Sequence, residues 1–175
     1  MPESEDAGFR HGVRREVVEA IIFRRNSDSI EYLLLKRLPE RNGFWHWQPV
    51  TGCVEERETR TEALRREITE ETGIKNLIRV IEDLYYFEFS NPNLNQEYVY
   101  GVEVSSTEEV VLDGRGHSEY RWCGIKDALQ LLYWKENKEA LKKLNTILGN
   151  SKRGKPLRNI RGNSSSKERN RILNT

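Results

Sequence analysis

Cysteine is scarce in this chain. Only Cys53 and Cys123 occur among 175 residues, far apart and without a CxxC motif or a neighbouring pair of histidines. This argues against a disulfide scaffold or a cysteine zinc site and is typical of reduced intracellular thiols. No apolar run reaches the roughly 18 residues that a membrane-spanning helix needs. The N-terminal segment MPESEDAGFRHG is polar and acidic, so we expect no secretory signal, no membrane partner and a cytoplasmic location.

Charge is nearly balanced over the whole chain, at +1, but it is unevenly distributed. Residues 151–175 contain eight Lys or Arg and one Glu, with frequent Gly, Ser and Asn and no apolar periodicity. A segment of this composition does not bury enough apolar surface to fold by itself. We therefore predict an N-terminal extension at 1–13, one folded domain at 14–149 and a basic, disordered tail at 150–175.

The hydrophobic pattern of the central region predicts both strands and helices. Segments rich in β-branched or aromatic residues predict strands at 16–23, 30–37, 77–89, 97–104, 110–112 and 119–123. Helices are predicted at 59–73, 125–133 and 135–148. The first of them begins with a capping box, Thr59 with Glu62, and ends at Gly73. Residues 38–51 are interpreted as an irregular aromatic-rich loop. This order predicts an α/β fold in which a mixed sheet is sandwiched between helices.

Three glutamates stand together near the end of the first predicted helix. Glu67, Glu70 and Glu71 have spacings of three and four residues, which bring side chains onto one face of a helix. Carboxylates crowded in this way repel one another unless positive charge lies between them. A hard divalent cation takes oxygen ligands and often shares them with phosphate. The spacing therefore predicts a metal-dependent hydrolase that acts on phosphate anhydrides.

The stretch from Gly52 to Ile74, GCVEERETRTEALRREITEETGI, resembles the Nudix box at every fixed position. The matching residues are Gly52, Glu58, Arg66, Glu67, Ile68, Glu70, Glu71, Gly73 and Ile74. The resemblance implies the Nudix fold, an α/β/α sandwich, and hydrolysis of a nucleoside diphosphate linked to another group. It also implies that Mg²⁺ or Mn²⁺ is held by Glu67, Glu70, Glu71 and the Gly52 carbonyl. Glu58 and Arg66 match the pair that braces the loop against the helix.

The general base and the substrate contacts are less closely defined by this resemblance. A carboxylate of the box, Glu70 or Glu71, is one candidate for the base. Glu119 is another, because some members of the family place an extra carboxylate in that region, and His117 is a further candidate. Arg37 matches a position where several Nudix triphosphatases hold an arginine near the nucleotide. Aromatic residues placed to stack on a base are Phe44, Trp45, Trp47, Tyr85, Tyr86 and Tyr100.

Two enzymatic hypotheses follow from the flanking segments. The loop WQPVTGCVEE resembles that of bacterial-type dATP or dihydroneopterin triphosphate pyrophosphohydrolases. This predicts cleavage of a nucleoside triphosphate, such as dATP, to monophosphate and pyrophosphate. The C-terminal segment EYRWCGIKDALQLLYWKENKEAL instead resembles diadenosine tetraphosphate hydrolases of the animal type. Those enzymes usually carry Pro-Lys-Gly where this chain has Val50-Thr51-Gly52, so triphosphate cleavage is the leading prediction and diadenosine tetraphosphate hydrolysis is its alternative.

A third hypothesis concerns the basic tail. Clustered Lys and Arg bind phosphate backbones without reading sequence. The tail therefore allows an RNA-associated module, or an RNA 5′ pyrophosphohydrolase that recruits its substrate through residues 150–175. We expect a small-molecule nucleotide as the main partner, and a chain that is a monomer or a homodimer.

Overall fold

The computed structural model describes residues 14–27, 29–39, 44–91 and 93–151. The predicted N-terminal extension and nearly all of the predicted basic tail lie outside these ranges, and both stay predictions. The last helix continues through Asn150 to Ser151, slightly past the predicted boundary. Within the described ranges, no helix is both long and apolar enough to span a bilayer.

The described residues form seven strands and three helices. The strands are β1 Arg15–Arg25, β2 Ile30–Arg37, β3 His46–Gln48, β4 Val50–Cys53, β5 Leu77–Asn91, β6 Asn93–Val104 and β7 His117–Cys123. The helices are α1 Arg60–Thr72, α2 Ile125–Leu131 and α3 Lys135–Ser151. The sheet has the order β3-β2-β1-β6-β5, with β4 paired to β1 and β7 paired to β2. Because β1 and β6 are parallel and the other pairs are antiparallel, the sheet is mixed.

Two apolar cores cover the two faces of the sheet. Successive residues of a strand point to opposite faces, so β1 contributes Val18 and Ile22 to one core and Ile21 and Phe23 to the other. Helix α1 packs on the first core through three buried residues, Ala63, Leu64 and Ile68. Helix α3 packs on the second core through Ala140, Leu141, Leu144 and Leu148. This arrangement confirms the predicted α/β/α sandwich.

The sequence-based assignments differ from the structure in several places. The segment 38–51, predicted to be irregular, contains β3 and the first half of β4, which add short strands beside β2 and β1. Residues 110–112 form no strand; instead the Val111 N–H donates to the Thr72 carbonyl at the end of α1, at 2.8 Å. Strand β5 is longer than predicted, and its pairing with β6 is interrupted between Ile81 and Tyr85, where Asp83 has a φ of 51°.

Candidate active site

Helix α1 is fixed at both ends by its own sequence. The Thr59 hydroxyl accepts a hydrogen bond from the Glu62 N–H, and the Glu62 carboxylate accepts one from the Thr59 N–H at 2.8 Å. At the other end, Gly73 adopts a left-handed φ of 72° and its N–H donates to the Thr69 carbonyl. These caps satisfy backbone groups that would otherwise lack partners. They hold the three glutamates of the last two turns in place.

Arg66 joins the helix to the loop that precedes it. Its Nε and Nη2 both donate to the Glu58 carboxylate at 2.9 Å, and Nη2 also donates to the Cys53 carbonyl at 2.9 Å. A bidentate pair of this kind is geometrically specific as well as strong. The hydrogen bonds from Arg66 lower the pKa of Glu58, so that this carboxylate stays ionised. The structure thus brings together the two residues that the box resemblance assigned as a brace.

Glu67 lies directly against the backbone of Gly52. A Cβ atom at position 52 would come within 1.8 Å of the Glu67 Cδ atom and 1.9 Å of Oε1. Only glycine leaves room for the carboxylate there. The same Glu67 Oε1 accepts a hydrogen bond from Arg66 Nη1 at 2.6 Å, while burial raises the pKa of Glu67. The Gly52 strand and the α1 carboxylate therefore form one tightly packed unit.

Glu70 and Glu71 have different surroundings, although they are adjacent in sequence. Glu70 is exposed, and its Oε2 lies 3.5 Å from Arg66 Nη1. Glu71 is largely buried, and its Oε2 has no hydrogen-bond partner among the described residues. Burial, together with the Glu67 charge, raises the pKa of Glu71 to about 8, and the Arg37 charge partly opposes that rise. A buried carboxylate oxygen without a partner is costly unless a cation is provided for it.

These residues fit a divalent metal ion by their donor chemistry. All three side chains offer carboxylate oxygens, the ligands that Mg²⁺ prefers. The unpartnered Glu71 oxygen and the close packing of Glu67 on Gly52 are the observations that support the fit. Within the described ranges, no three His, Cys, Asp or Glu side chains already converge as a metal cluster. Arg66, which contacts Glu67 and Glu70, supplies the positive charge between these carboxylates in this structure.

A pocket of about 730 Å³ opens next to this unit, on the side of the sheet that faces the start of α3. Arg37 and Thr51 line the end that is nearer to the glutamates, since Arg37 acts on the Glu71 charge and the Thr51 backbone hydrogen-bonds with Glu71. Aromatic residues line its walls: Phe44, His46, Phe87, Phe89 and Trp134. Its volume lies in the range of small-molecule sites. Of the predicted substrate contacts, Arg37 and Phe44 line it.

The other predicted contacts lie elsewhere. Trp45 is exposed, and the Lys36 ammonium lies 5.2 Å from its ring centroid. Trp47 packs into the core beneath α3 and forms a bridge with Leu132. Tyr86 lies on β5, where it hydrogen-bonds to Glu88 and its ring packs on a neighbouring tyrosine. Tyr85 and Tyr100 pack in the two cores. The pocket wall is built partly from Phe44, a predicted contact, and from Trp134, which the sequence had assigned to packing.

Glu119 is not brought to the α1 glutamates. Its carboxylate accepts a hydrogen bond from Lys36 Nζ at 2.6 Å, and about half of its side chain is exposed. Lys36 points to the opposite sheet face from Leu35, which packs in the core beneath α1. The contact that the structure shows for the Glu119 carboxylate is therefore with Lys36 and not with the α1 glutamates.

Asp113, in the segment before β7, and His117, in β7, interact electrostatically with the groups around Arg37 and Glu71. His117 is buried and pairs with Arg37 across the strands, and neither of its ring nitrogens has a partner among the described residues. Burial, aided by the Arg37 charge, lowers the pKa of His117 to about 4. Asp113 acts electrostatically on both Glu71 and His117, and its Oδ1 accepts the Arg115 N–H at 3.0 Å. Sequence reasoning missed Asp113, which belongs to no motif.

Comparison with known proteins gives a consistent result. A model of the NUDIX domain matches residues 13–144. The asymmetrical bis(5′-nucleosyl)-tetraphosphatase of Mus musculus is 34% identical over 137 residues, covering 69% of this chain and 86% of that protein.

Two solved structures share the fold. One is a C. elegans Ap4A hydrolase binary complex, with a TM-score of 0.69 and 24% identity over 78% of this chain and 98% of that one. The other is the E. coli dihydroneopterin triphosphate pyrophosphohydrolase, with a TM-score of 0.61 and 24% identity over 73% of this chain and 92% of that one.

Proposed function

The chain belongs to the NUDIX domain family and is a phosphoanhydride hydrolase, and we propose that its substrate is a dinucleoside tetraphosphate, cleaved asymmetrically. The observation that carries this proposal is the similarity to asymmetrical tetraphosphatases. In mouse and pig these proteins are 34% and 35% identical to the chain, and the matches cover 86% of their length. The expected products are a nucleoside monophosphate and a nucleoside triphosphate.

The shape and charge of the pocket support a polyphosphate substrate. Arg37 lines the pocket and also acts on the charge of Glu71, so a phosphate chain beside Arg37 would extend toward the glutamates of α1. The guanidinium is a fixed bidentate donor that suits phosphate oxygens. Phe44 and Trp134, on the wall of the same pocket, offer ring faces to a nucleobase. One nucleoside would bind in the pocket, with the scissile phosphates above α1.

The α1 glutamates are the proposed ligands of the metal ion. Glu67, Glu70 and Glu71, with the Gly52 carbonyl, would hold Mg²⁺ or Mn²⁺. When bound, the ion supplies positive charge that offsets the charge gathering on the phosphoryl oxygens. Arg66 keeps Glu67 and the loop at a fixed distance through its contacts with Glu58 and Cys53.

A box carboxylate is the proposed general base. Glu71 is largely buried, and one of its oxygens has no partner, so it is placed to take a proton from an attacking water. Glu70 is the alternative, because its exposure leaves it free to turn toward water. Glu119 is not retained for this role, since its contact with Lys36 holds it away from α1.

A second candidate is cleavage of a nucleoside or pterin triphosphate to monophosphate and pyrophosphate. The observation that favours it is local: Gln48 donates a weak hydrogen bond to Thr51 at 3.4 Å, and both residues line the pocket. Both belong to the WQPVTGCVEE segment that resembles the triphosphate pyrophosphohydrolases. Under this alternative the pocket would hold the base of a single nucleotide.

Substrate profiling with Mg²⁺ separates the two candidates. The purified chain would be assayed for kcat/KM with diadenosine and diguanosine tetraphosphates, dATP, GTP and dihydroneopterin triphosphate, with an EDTA-treated sample as the control. We expect a tetraphosphate to give the highest kcat/KM, with no turnover in EDTA. If the triphosphates are hydrolysed and both tetraphosphates are inert, the second candidate replaces the first.

A further inference from the structure

The pocket floor contains a buried group of polar side chains that the hydrolytic mechanism does not use. Glu97 and Asn137 line the pocket and are only 6% and 5% exposed, and Glu19, fully buried, lies behind them. Glu19 and Glu97 lie on the neighbouring parallel strands β1 and β6. Asn137 lies in the first turn of α3, and its Nδ2 donates a hydrogen bond to Glu19 Oε2. Three separate elements thus meet at one polar point.

The two carboxyl groups share one proton. Their side chains interact, burial raises the pKa of Glu97 as well as that of Glu19, and two buried carboxylates this close do not both ionise. Burial and the neighbouring Glu97 raise the pKa of Glu19 well above its usual range. Glu19 Oε1 has no hydrogen-bond partner among the described residues, and Glu19, the more deeply buried of the two, is the group that keeps the proton.

This arrangement determines what Glu97 presents to the pocket. With Glu19 as the donor, Glu97 is an ionised carboxylate, and an ionised carboxylate can only accept hydrogen bonds. It is also one of the few charged groups on a wall that is otherwise rich in aromatic residues. A partner for it must offer N–H groups, because an acceptor placed against a buried carboxylate would leave both groups unsatisfied.

We propose that Glu97 selects a ring whose edge carries a ring N–H beside an exocyclic amino group, the 2-amino-4-oxopyrimidine edge of guanine and of pterins. This inference rests on the proposed function, since it takes the pocket as the nucleotide site. Two parallel N–H···O bonds then join the base to the two oxygens of Glu97. Adenine presents an amino group beside an acceptor nitrogen and satisfies only one oxygen. Hypoxanthine lacks the amino group altogether.

Binding of product-like monophosphates tests this without any turnover. The full chain would be titrated calorimetrically with GMP, IMP and AMP, and neopterin monophosphate would be the arm that separates a pterin from a purine nucleotide. A hydrogen bond to a charged group is worth about ten- to a hundredfold in affinity. We expect GMP to bind at least about tenfold more tightly than IMP or AMP. Tighter binding of neopterin monophosphate than of GMP would identify a pterin as the preferred ligand.

Three variants test which residues produce the preference for GMP over IMP. Glu97→Gln should bring the GMP to IMP affinity ratio close to one. Glu19→Gln should keep the ratio, because a glutamine amide donates and accepts at the same positions as a protonated glutamate. Glu139→Gln, an exposed residue of α3 paired with Lys142, is the matched control and should change nothing.

Equal affinity of the wild-type chain for GMP and IMP would overturn the inference, as would an unchanged ratio in a folded Glu97→Gln variant. A GMP to IMP affinity ratio close to one in a folded Glu19→Gln variant would overturn the assignment of the proton to Glu19. Failure of this inference and failure of the proposed function can be told apart. A chain that prefers GMP but hydrolyses no tetraphosphate would contradict only the proposed substrate, and a chain that hydrolyses tetraphosphates without base preference would contradict only the inference.

Discussion

Replacing Gly52 by alanine tests whether the close packing of Glu67 on the backbone is needed for activity. The added Cβ would lie 1.8 Å from the Glu67 Cδ atom and 1.9 Å from Oε1. Carbon atoms in ordinary contact are about 3.5 to 4 Å apart, so the carboxylate must retreat by about 2 Å. That movement would also break its 2.6 Å contact with Arg66.

The expected magnitude follows from the tolerance of such sites. Metal–ligand distances are kept within about 0.2 Å, and a misplacement of 1 Å near the reacting atoms can cost about 100-fold in rate. We therefore expect Gly52→Ala to lower kcat/KM by about 100-fold or more. The backbone at Gly52 does not have the positive φ that disfavours alanine, and Glu67 is able to turn toward solvent, so the melting temperature should change little.

The assay compares Gly52→Ala with Gly124→Ala under saturating Mg²⁺. Gly124 is the matched control because an added Cβ there has no neighbouring atom within 4 Å, and its φ of −68° suits alanine. The control should retain the wild-type kcat/KM. Full activity in a folded Gly52→Ala variant would refute the conclusion that the position of Glu67 beside Gly52 is required.

Three further predictions concern the base, a buried histidine and the tail. Glu71→Gln should lower kcat by about 10³-fold while leaving the unfolding transition in place, as measured by steady-state kinetics and urea titration; near-normal turnover would contradict its role. Folding lowers the pKa of His117 from 6.5 to about 4, so its stabilising contribution is present above pH 6.5 and is lost as the pH falls toward 4. Between pH 7 and pH 5 the wild type should therefore lose about 2 kcal/mol more unfolding free energy than His117→Gln, and equal losses in urea titrations would show that His117 is not buried as a neutral group. If the basic tail binds RNA, removing residues 152–175 should weaken RNA affinity and reduce its salt dependence in filter-binding measurements; unchanged affinity would leave the tail without that role.

Sequence alone predicted helix α1 because its signals are local. The capping box, the terminal glycine and the glutamate spacing all lie within about fifteen residues. Each of them indicates a helix end or a charged helix face without reference to the rest of the chain. The contact of Arg66 with Glu58 could be anticipated only through the box resemblance. The short strands β3 and β4 were missed because segments of three and four residues carry almost no periodic pattern.

The pocket was largely beyond sequence reasoning because its residues come from distant elements. Phe44 was predicted to stack on a base, but Trp134 is separated from it by most of the domain, and nothing in the sequence indicates that the two line one wall. Glu19 did carry a signal: it is a charged residue in the middle of the apolar segment EVVEAIIF, where a buried charge needs a partner. Its partner Glu97 became apparent only from the parallel pairing of β1 with β6.

The most direct test of the central claim is product analysis in ¹⁸O-labelled water. A dinucleoside tetraphosphate would be incubated with the chain and Mg²⁺, and the masses of its separated products would be determined by mass spectrometry. Asymmetrical cleavage predicts equal amounts of nucleoside monophosphate and triphosphate, with one ¹⁸O atom in one of the two. Formation of two diphosphates, or hydrolysis of triphosphates alone, would contradict it.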